Sequence, residues 1–214
     1  MKSRKILACL LALAATALPA AAQQSESSHP VFSLGFGAQY WHAKDMKDLL
    51  DENGMWGANL IARIRPSTYF AIDLRAGGEG VWDGKTYRVD GQKYEQDVTF
   101  TCCPFEAGLL LMLPVADAVT FYGGGGVGYY WYDIDVEVSS KHHHHYHREW
   151  HDSIDLDDDI GWYAVGGVNL SLARCLSLFG EVRYTDTETN PEDAKSFKID
   201  CSGIGGQIGI LFDF

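Results

Sequence analysis

The sequence predicts an all-β fold, with eight antiparallel strands wound up and down into a transmembrane β-barrel. Three observations carry this. From residue 31 onward the apolar residues recur with a period of two, not 3.6. The alternating segments are joined by three short and four long polar connections, in strict succession. The charged residues within those segments lie opposite the apolar face.

Residues 1–22 read as a signal peptide. Lys2, Arg4 and Lys5 form a positive start, residues 6–17 are apolar but short for a membrane helix, and Pro19 precedes the small residues Ala20, Ala21 and Ala22. The mature chain is expected to begin at Gln23, with a short segment over 23–30 and the barrel over 31–214. Cys9 has almost no apolar segment before it, so lipidation there is not expected. Removing the leader's three positive charges takes the formal charge from -12 to -15, which argues against nucleic-acid binding. Aromatic residues at 13%, 23 glycines and only 21% charge speak against an ordinary soluble surface.

The segments follow in order. Phe32, Leu34, Phe36, Ala38 and Tyr40 alternate with Ser33, Gly35, Gly37 and Gln39. Ala58, Leu60, Ala62 and Ile64 oppose Asn59 and Arg63, and Arg65-Pro66-Ser67 makes the first tight turn. Phe70, Ile72, Leu74 and Ala76 oppose Asp73 and Arg75. Phe105, Ala107, Leu109 and Leu111 oppose Glu106 and Gly108, and a second turn spans 114–117. The fifth segment, 119–131, passes through four glycines at 123–126 that leave its faces undefined. The sixth carries Trp162, Ala164, Val168 and Leu170, and Ala173-Arg174-Cys175 leads to the seventh, where Glu181 and Arg183 face away from Leu178, Val182 and Tyr184. Ile204, Ile208, Ile210, Phe212 and Phe214 mark the eighth. The long connections fall at 43–54, 77–96, 133–158 and 186–202.

Charge decides which face points outward. An Arg or Lys facing lipid at mid-depth costs about 2–4 kcal/mol. Six such positions would overwhelm a stability of about 5–15 kcal/mol. Arg63, Asp73, Arg75, Glu106, Glu181 and Arg183 are therefore expected inside, three positive against three negative, as a paired plug rather than an open pore. Tyr40, Trp41, Trp56, Trp82, Trp131 and Trp162 near the long loops, and Phe32, Tyr69, Phe121, Phe212 and Phe214 near the short turns, are expected to form two interfacial girdles.

The chain ends Gln207-Ile208-Gly209-Ile210-Leu211-Phe212-Asp213-Phe214, and residues 178–184 read Leu-Phe-Gly-Glu-Val-Arg-Tyr. With these segments, residues 31–214 resemble the OmpA-like and Opa-like outer-membrane β-barrel domains of Gram-negative bacteria. The resemblance implies an outer-membrane location and contact with membrane lipid and lipopolysaccharide. It implies that Gln207, Gly209, Phe212 and Phe214 form a terminal signal read by the barrel-assembly machinery. It gives architecture better than activity.

The unusual feature is a histidine tract at His142, His143, His144, His145, His147 and His151, followed by Asp152, Asp155, Asp157, Asp158 and Asp159. Imidazoles suit zinc, nickel or copper, and alternate residues of an extended segment share a face. A soluble, pH-responsive loop explains the same composition, so no resident cofactor is expected. Some eight-stranded barrels edit lipid A, which takes a serine or activated base beside a histidine on the outer rim. His42 and Tyr40 offer no such arrangement, and no catalysis is expected. Two function classes remain: a surface-exposed structural or adhesion-type protein with an extracellular ligand, and a metal- or small-molecule-binding barrel using the histidine tract. Spacing alone leaves disulfides unassigned, but Cys102 and Cys201 fall toward the same end and are expected to pair, whereas Cys175 sits in a short turn at the other.

Overall fold

The structure, a computed structural model, describes residues 31–45, 54–89, 92–140, 148–190 and 198–214. The leader expected over 1–22 and the segment over 23–30 lie outside the described residues. Eleven strands follow one another: β1 (Phe32–Ala43), β2 (Met55–Ser67), β3 (Phe70–Val89), β4 (Gln92–Ala116), β5 (Val119–Ser140), β6 (Arg148–Asp155), β7 (Asp159–Ala173), β8 (Leu176–Asp186), β9 (Glu188–Thr189), β10 (Ile199–Asp200) and β11 (Gly203–Asp213).

Antiparallel pairing runs β1-β2-β3-β4-β5-β7-β8-β11 and returns from β11 to β1, so the sheet closes on itself with eight walls. β6 continues the line of β7 beside the far half of β5, after a break at Leu156 that turns a buried side chain inward. At the seam, Ser33 pairs with Asp213 and Ala43 with Gly203. The Phe214 amide donates to the Phe32 carbonyl at 2.8 Å. Closure leaves no edge inside the barrel wall, which is what a strand requires in hydrocarbon.

Each short hairpin has the same construction. A register irregularity lies between Ile64 and Ser67, between Pro114 and Ala116, and between Ser171 and Ala173, each just before a two-residue turn. The turns are Thr68-Tyr69, Asp117-Ala118 and Arg174-Cys175. Pro66 and Pro114 therefore sit at bulges rather than in the turns where the sequence placed them. A bulge tolerates a residue without an N–H, and the strand runs on past it.

The long connections need a larger correction. Much of 77–96 and 133–158 is strand: β3 pairs with β4 out to Val89 and Gln92, and β5 pairs with β6 out to Ser140 and Arg148. These segments stand beyond the apolar belt and carry many polar residues, so low hydropathy makes them resemble loops, although in β5 Ile134, Val136 and Val138 still alternate with Asp133, Asp135 and Glu137. Of the connection 186–202, β9 and β10 form a small two-stranded sheet.

The outer surface is apolar between two aromatic levels. Leu60, Leu109, Val127, Val182 and Ile208 are each more than half exposed. Trp56, Trp82 and Trp162 face outward at one end, Tyr69, Phe121, Phe212 and Phe214 at the other. Two residues depart from the expected girdles: Phe32 is buried, beside the Phe214 ring, and Trp41 points inward and is buried with Met55, Phe100, Cys102, Tyr130, Tyr132 and Cys201. The odd number of Trp41 puts it in phase with Gln39, so the alternation of β1 overrides the interfacial preference of indole. The expected Cys102–Cys201 bridge is also corrected, since both thiols are free and buried. Cys102 lies on β4 and Cys201 just before β11, four places apart around the circle. There they pack as small apolar groups.

Inside, rings lie over glycines. A methyl at Gly167 would stand 2.6 Å from Tyr122 Cζ and 2.6 Å from the Gly180 carbonyl oxygen, and one at Gly209 would stand 2.6 Å from Phe179 Cζ. At Gly180, on the lipid side, it would meet nothing within 4 Å. Gly167→Ala is therefore expected to destabilise the refolded barrel by about 1–3 kcal/mol through overpacking. Gly180→Ala should leave it within about 0.5 kcal/mol. Urea midpoints in lipid vesicles measure both.

Candidate functional site

Strand alternation aims a set of polar side chains into the lumen, and the closed wall forces them to satisfy one another. Arg63 on β2 has no exposed surface; its Nε donates to Asp73 Oδ1 at 2.9 Å. Arg75 on β3 donates from Nε to Asp73 Oδ2 at 2.5 Å and reaches Glu181 on β8 through both terminal nitrogens, Nη2 to Oε2 at 3.0 Å. β3 and β8 stand four places apart in the circle of eight, so this two-pronged bridge crosses the lumen. Such paired geometry makes a strong charge-assisted bond. Arg183 on β8 pairs with Glu106 on β4, and Tyr130 donates to the same carboxylate at 2.8 Å. The guanidinium of Arg63 lies 4.7 Å from the Tyr122 ring centre and that of Arg183 lies 4.3 Å from the Tyr163 ring centre. All six charges named from the sequence thus meet in one filled interior.

Further residues complete it. Asn59 Nδ2 donates to Gln39 Oε1 at 2.9 Å and Gln207 Oε1 at 3.0 Å, while Gln207 Nε2 donates back to Asn59 Oδ1 at 2.6 Å. Gln39 Nε2 donates to Glu79 Oε1 at 2.5 Å. Near the seam, Asp213 accepts from Ser33 and Ser177, each at 2.6 Å, with Arg65 at 3.5 Å. Asp213 was legible, because it alternates with outward Phe212 and Phe214. Glu79 was also within reach, four residues beyond Arg75 on the same face. Tyr122 and Tyr130 flank the glycine-rich stretch, which hides the phase of β5.

Of the terminal residues, Gln207 is buried in this network and Gly209 lies beneath the Phe179 ring, whereas Phe212 and Phe214 are exposed outside. The histidines 142–145 and 147 lie outside the described residues. His151 lies on β6, in register with Glu137. One His-x-Ser triplet, His151-Asp152-Ser153, escapes the reading from His42 and Tyr40; it lies on this same strand, with Ser153 opposite Asp135. Among the described residues no group of three His, Cys, Asp or Glu side chains is placed to hold a metal ion.

At the long-loop end the β9–β10 segment is tied across the mouth. Ser202 Oγ donates to Asp186 Oδ1 at 2.8 Å, Thr187 Oγ1 donates to Asp159 Oδ2 at 3.0 Å, and Lys44 Nζ donates to Asp200 Oδ2 at 3.0 Å. Partial burial pushes the Asp200 carboxyl up, but hydrogen bonds from Ser202 and Lys44 outweigh it and hold the group below the usual carboxylate range.

Removing one member of the lumen network strands its partners. Arg75→Met leaves Glu181 without a cation and Asp73 with Arg63 alone, and is expected to destabilise the barrel by about 3–5 kcal/mol. The Arg75→Met, Glu181→Leu double variant should recover part of that loss. Urea unfolding in vesicles measures both.

The family model described as "outer membrane protein beta-barrel domain" matches residues 8–205. Among solved structures, the outer membrane protein OprG from Pseudomonas aeruginosa is 15% identical, with a TM-score of 0.52 over 87% of this chain and 97% of that one. Ail, the attachment invasion locus protein of Yersinia pestis, is 14% identical with a TM-score of 0.44 over 87% of this chain and 99% of that one. Neisserial surface protein A is 11% identical with a TM-score of 0.46 over 88% and 98%. No curated protein matches the sequence. The closed barrel and the family match agree, and this chain belongs to the outer membrane protein β-barrel domain family, its strands crossing the outer membrane.

Proposed function

We propose that the protein is a closed barrel that serves the cell surface through the part standing above the membrane, in a structural or adhesion-type role. The observation that supports this is the continuation of β3, β4, β5 and β6 into a four-stranded extracellular sheet. From Gly80 to Val89 alone, β3 runs about 30 Å further along its length, at roughly 3.3 Å per residue. A crossing strand needs only about 9–11 residues. β4 has 25 and β5 has 22. The lumen offers no route for solutes in this reading, since the cross-barrel ion pairs and the aromatic cluster above them fill it. Catalysis has no part in it either: His151 and Ser153 are carried on β6, beyond the lipid-facing surface where a lipid-editing site has to stand. Lipid and lipopolysaccharide surround the barrel, and Gln207, Gly209, Phe212 and Phe214 direct its assembly.

Within the sheet the register sets Asp97 opposite Glu137 and Asp133 opposite Asp155. Opposed like charges destabilise a sheet slightly, and this surface suits a partner bearing positive charge. Bacteria displaying the protein are expected to adhere to an epithelial monolayer less strongly as salt rises. A variant with residues 82–99 and 134–154 replaced by short turns should lose adherence while still reaching the outer membrane. Adherence unchanged by that truncation would contradict the role.

A second reading rests on the histidine tract, which follows β5 in the sequence and ends at His151 on β6. Zinc, nickel or copper would bind neutral imidazoles, so uptake should rise with pH through about 6.5. Stoichiometric zinc uptake lost when His142, His143, His144, His145, His147 and His151 become Ser supports it. Uptake that survives the replacement rejects it.

A further inference from the structure

Glu79 differs from its neighbours in the lumen. Asp73, Glu106 and Glu181 each hold an arginine, and Asp213 has Arg65, whereas the hydrogen bond recorded for Glu79 comes from the neutral amide of Gln39 to Oε1. Glu79 Oε2 is buried without a partner, and so are Trp41 Nε1 and Arg183 Nε. All three side chains line one cavity of about 20 Å³, shared with Gln39, Glu106 and Tyr130, between the arginine bridges and the aromatic cluster. Their exposures are low: 7% for Glu79, 6% for Trp41 and 10% for the Arg183 side chain.

We propose that this cavity is a binding site for a single water molecule, bridging Glu79, Trp41 and Arg183. Size and chemistry both select the ligand. A space of about 10–15 Å³ accessible to a water-sized probe is enough for one water, and the cavity leaves no room for a polyatomic solute. Two of the unpartnered atoms are N–H donors and one is a carboxylate oxygen. A metal ion has no bond to make with two donors, and a halide is repelled by the carboxylate. Water accepts from Trp41 Nε1 and Arg183 Nε and donates to Glu79 Oε2, which gives all three atoms a partner together. Among the other polar groups lining the cavity, Gln39 bonds Glu79 and Asn59, Glu106 bonds Tyr130 and Arg183, and Gln207 bonds Asn59. The water links the one carboxylate without an arginine to the Arg183–Glu106 pair, and so joins two separate parts of the network.

A crystal structure of the detergent-solubilised barrel, at a resolution that shows ordered solvent, tests this directly. The expected result is one solvent peak within hydrogen-bond distance of Glu79 Oε2, Trp41 Nε1 and Arg183 Nε. In solution, the Trp41 indole proton, identified by its loss in Trp41→Phe, should give a dipolar cross-peak at the water frequency with the sign of a long-lived water. That cross-peak should vanish in Glu79→Leu. If Glu79→Leu does not fold, the wild-type density and the wild-type cross-peak decide alone. An empty cavity, an indole bonded to a protein acceptor, or a peak with the anomalous signal of an ion would overturn the assignment.

Discussion

Pairing of the first strand with the last is the constraint on which the rest depends. In hydrocarbon an unpaired backbone N–H or C=O costs several kcal/mol, so a sheet in the membrane has to close. The ladder from Ser33–Asp213 to Ala43–Gly203 achieves this. Closure then fixes everything else in turn. Alternate residues of every strand face lipid, the others face a space only wide enough for side chains, and whatever polar atoms enter that space must find partners within it.

The lumen shows how that requirement is met. Charges are paired across the barrel rather than only between neighbours, and glycines make room where tyrosine and phenylalanine rings lie over the neighbouring strand. The same side chains therefore fill the interior and join opposite walls. Above the lipid the constraint relaxes. There β3, β4 and β5 continue as a sheet, with Val81, Val98 and Ile134 packed against the buried cluster at its base. A sharp change of pattern along a single strand, apolar alternation below and mixed polarity above, marks where the membrane ends.

This explains what could be read from the sequence. Inside the lipid belt the alternation is enforced, so the faces of β1, β2, β3, β7, β8 and β11 and the six lumen charges were legible. β5 was opaque because glycine has no side chain to report its environment, and Tyr122 and Tyr130 stand on either side of that gap. Trp41 misled because indole suits both an interface and a buried core, and only the phase of its strand separates the two. In the upper half of β5, Ile134, Val136 and Val138 alternate with Asp133, Asp135 and Glu137, and the acidic face makes the strand resemble a loop. Pro66 and Pro114 pointed to the right neighbourhood for a turn, but bulges moved the turns two or three residues on. Cys102 and Cys201 share one end of the barrel and one buried cluster, yet both thiols are free, which their positions in the sequence do not foretell.

The claim that the interior is a plug is tested most directly by conductance across a planar lipid bilayer holding the purified, refolded barrel. Arg75–Glu181, Arg63–Asp73 and Arg183–Glu106, with the aromatic cluster above them, fill the lumen, and the account predicts no stepwise current at neutral pH. Regular single-channel steps of uniform size from the wild-type protein would contradict it, and the lumen would then have to be a pathway rather than a core.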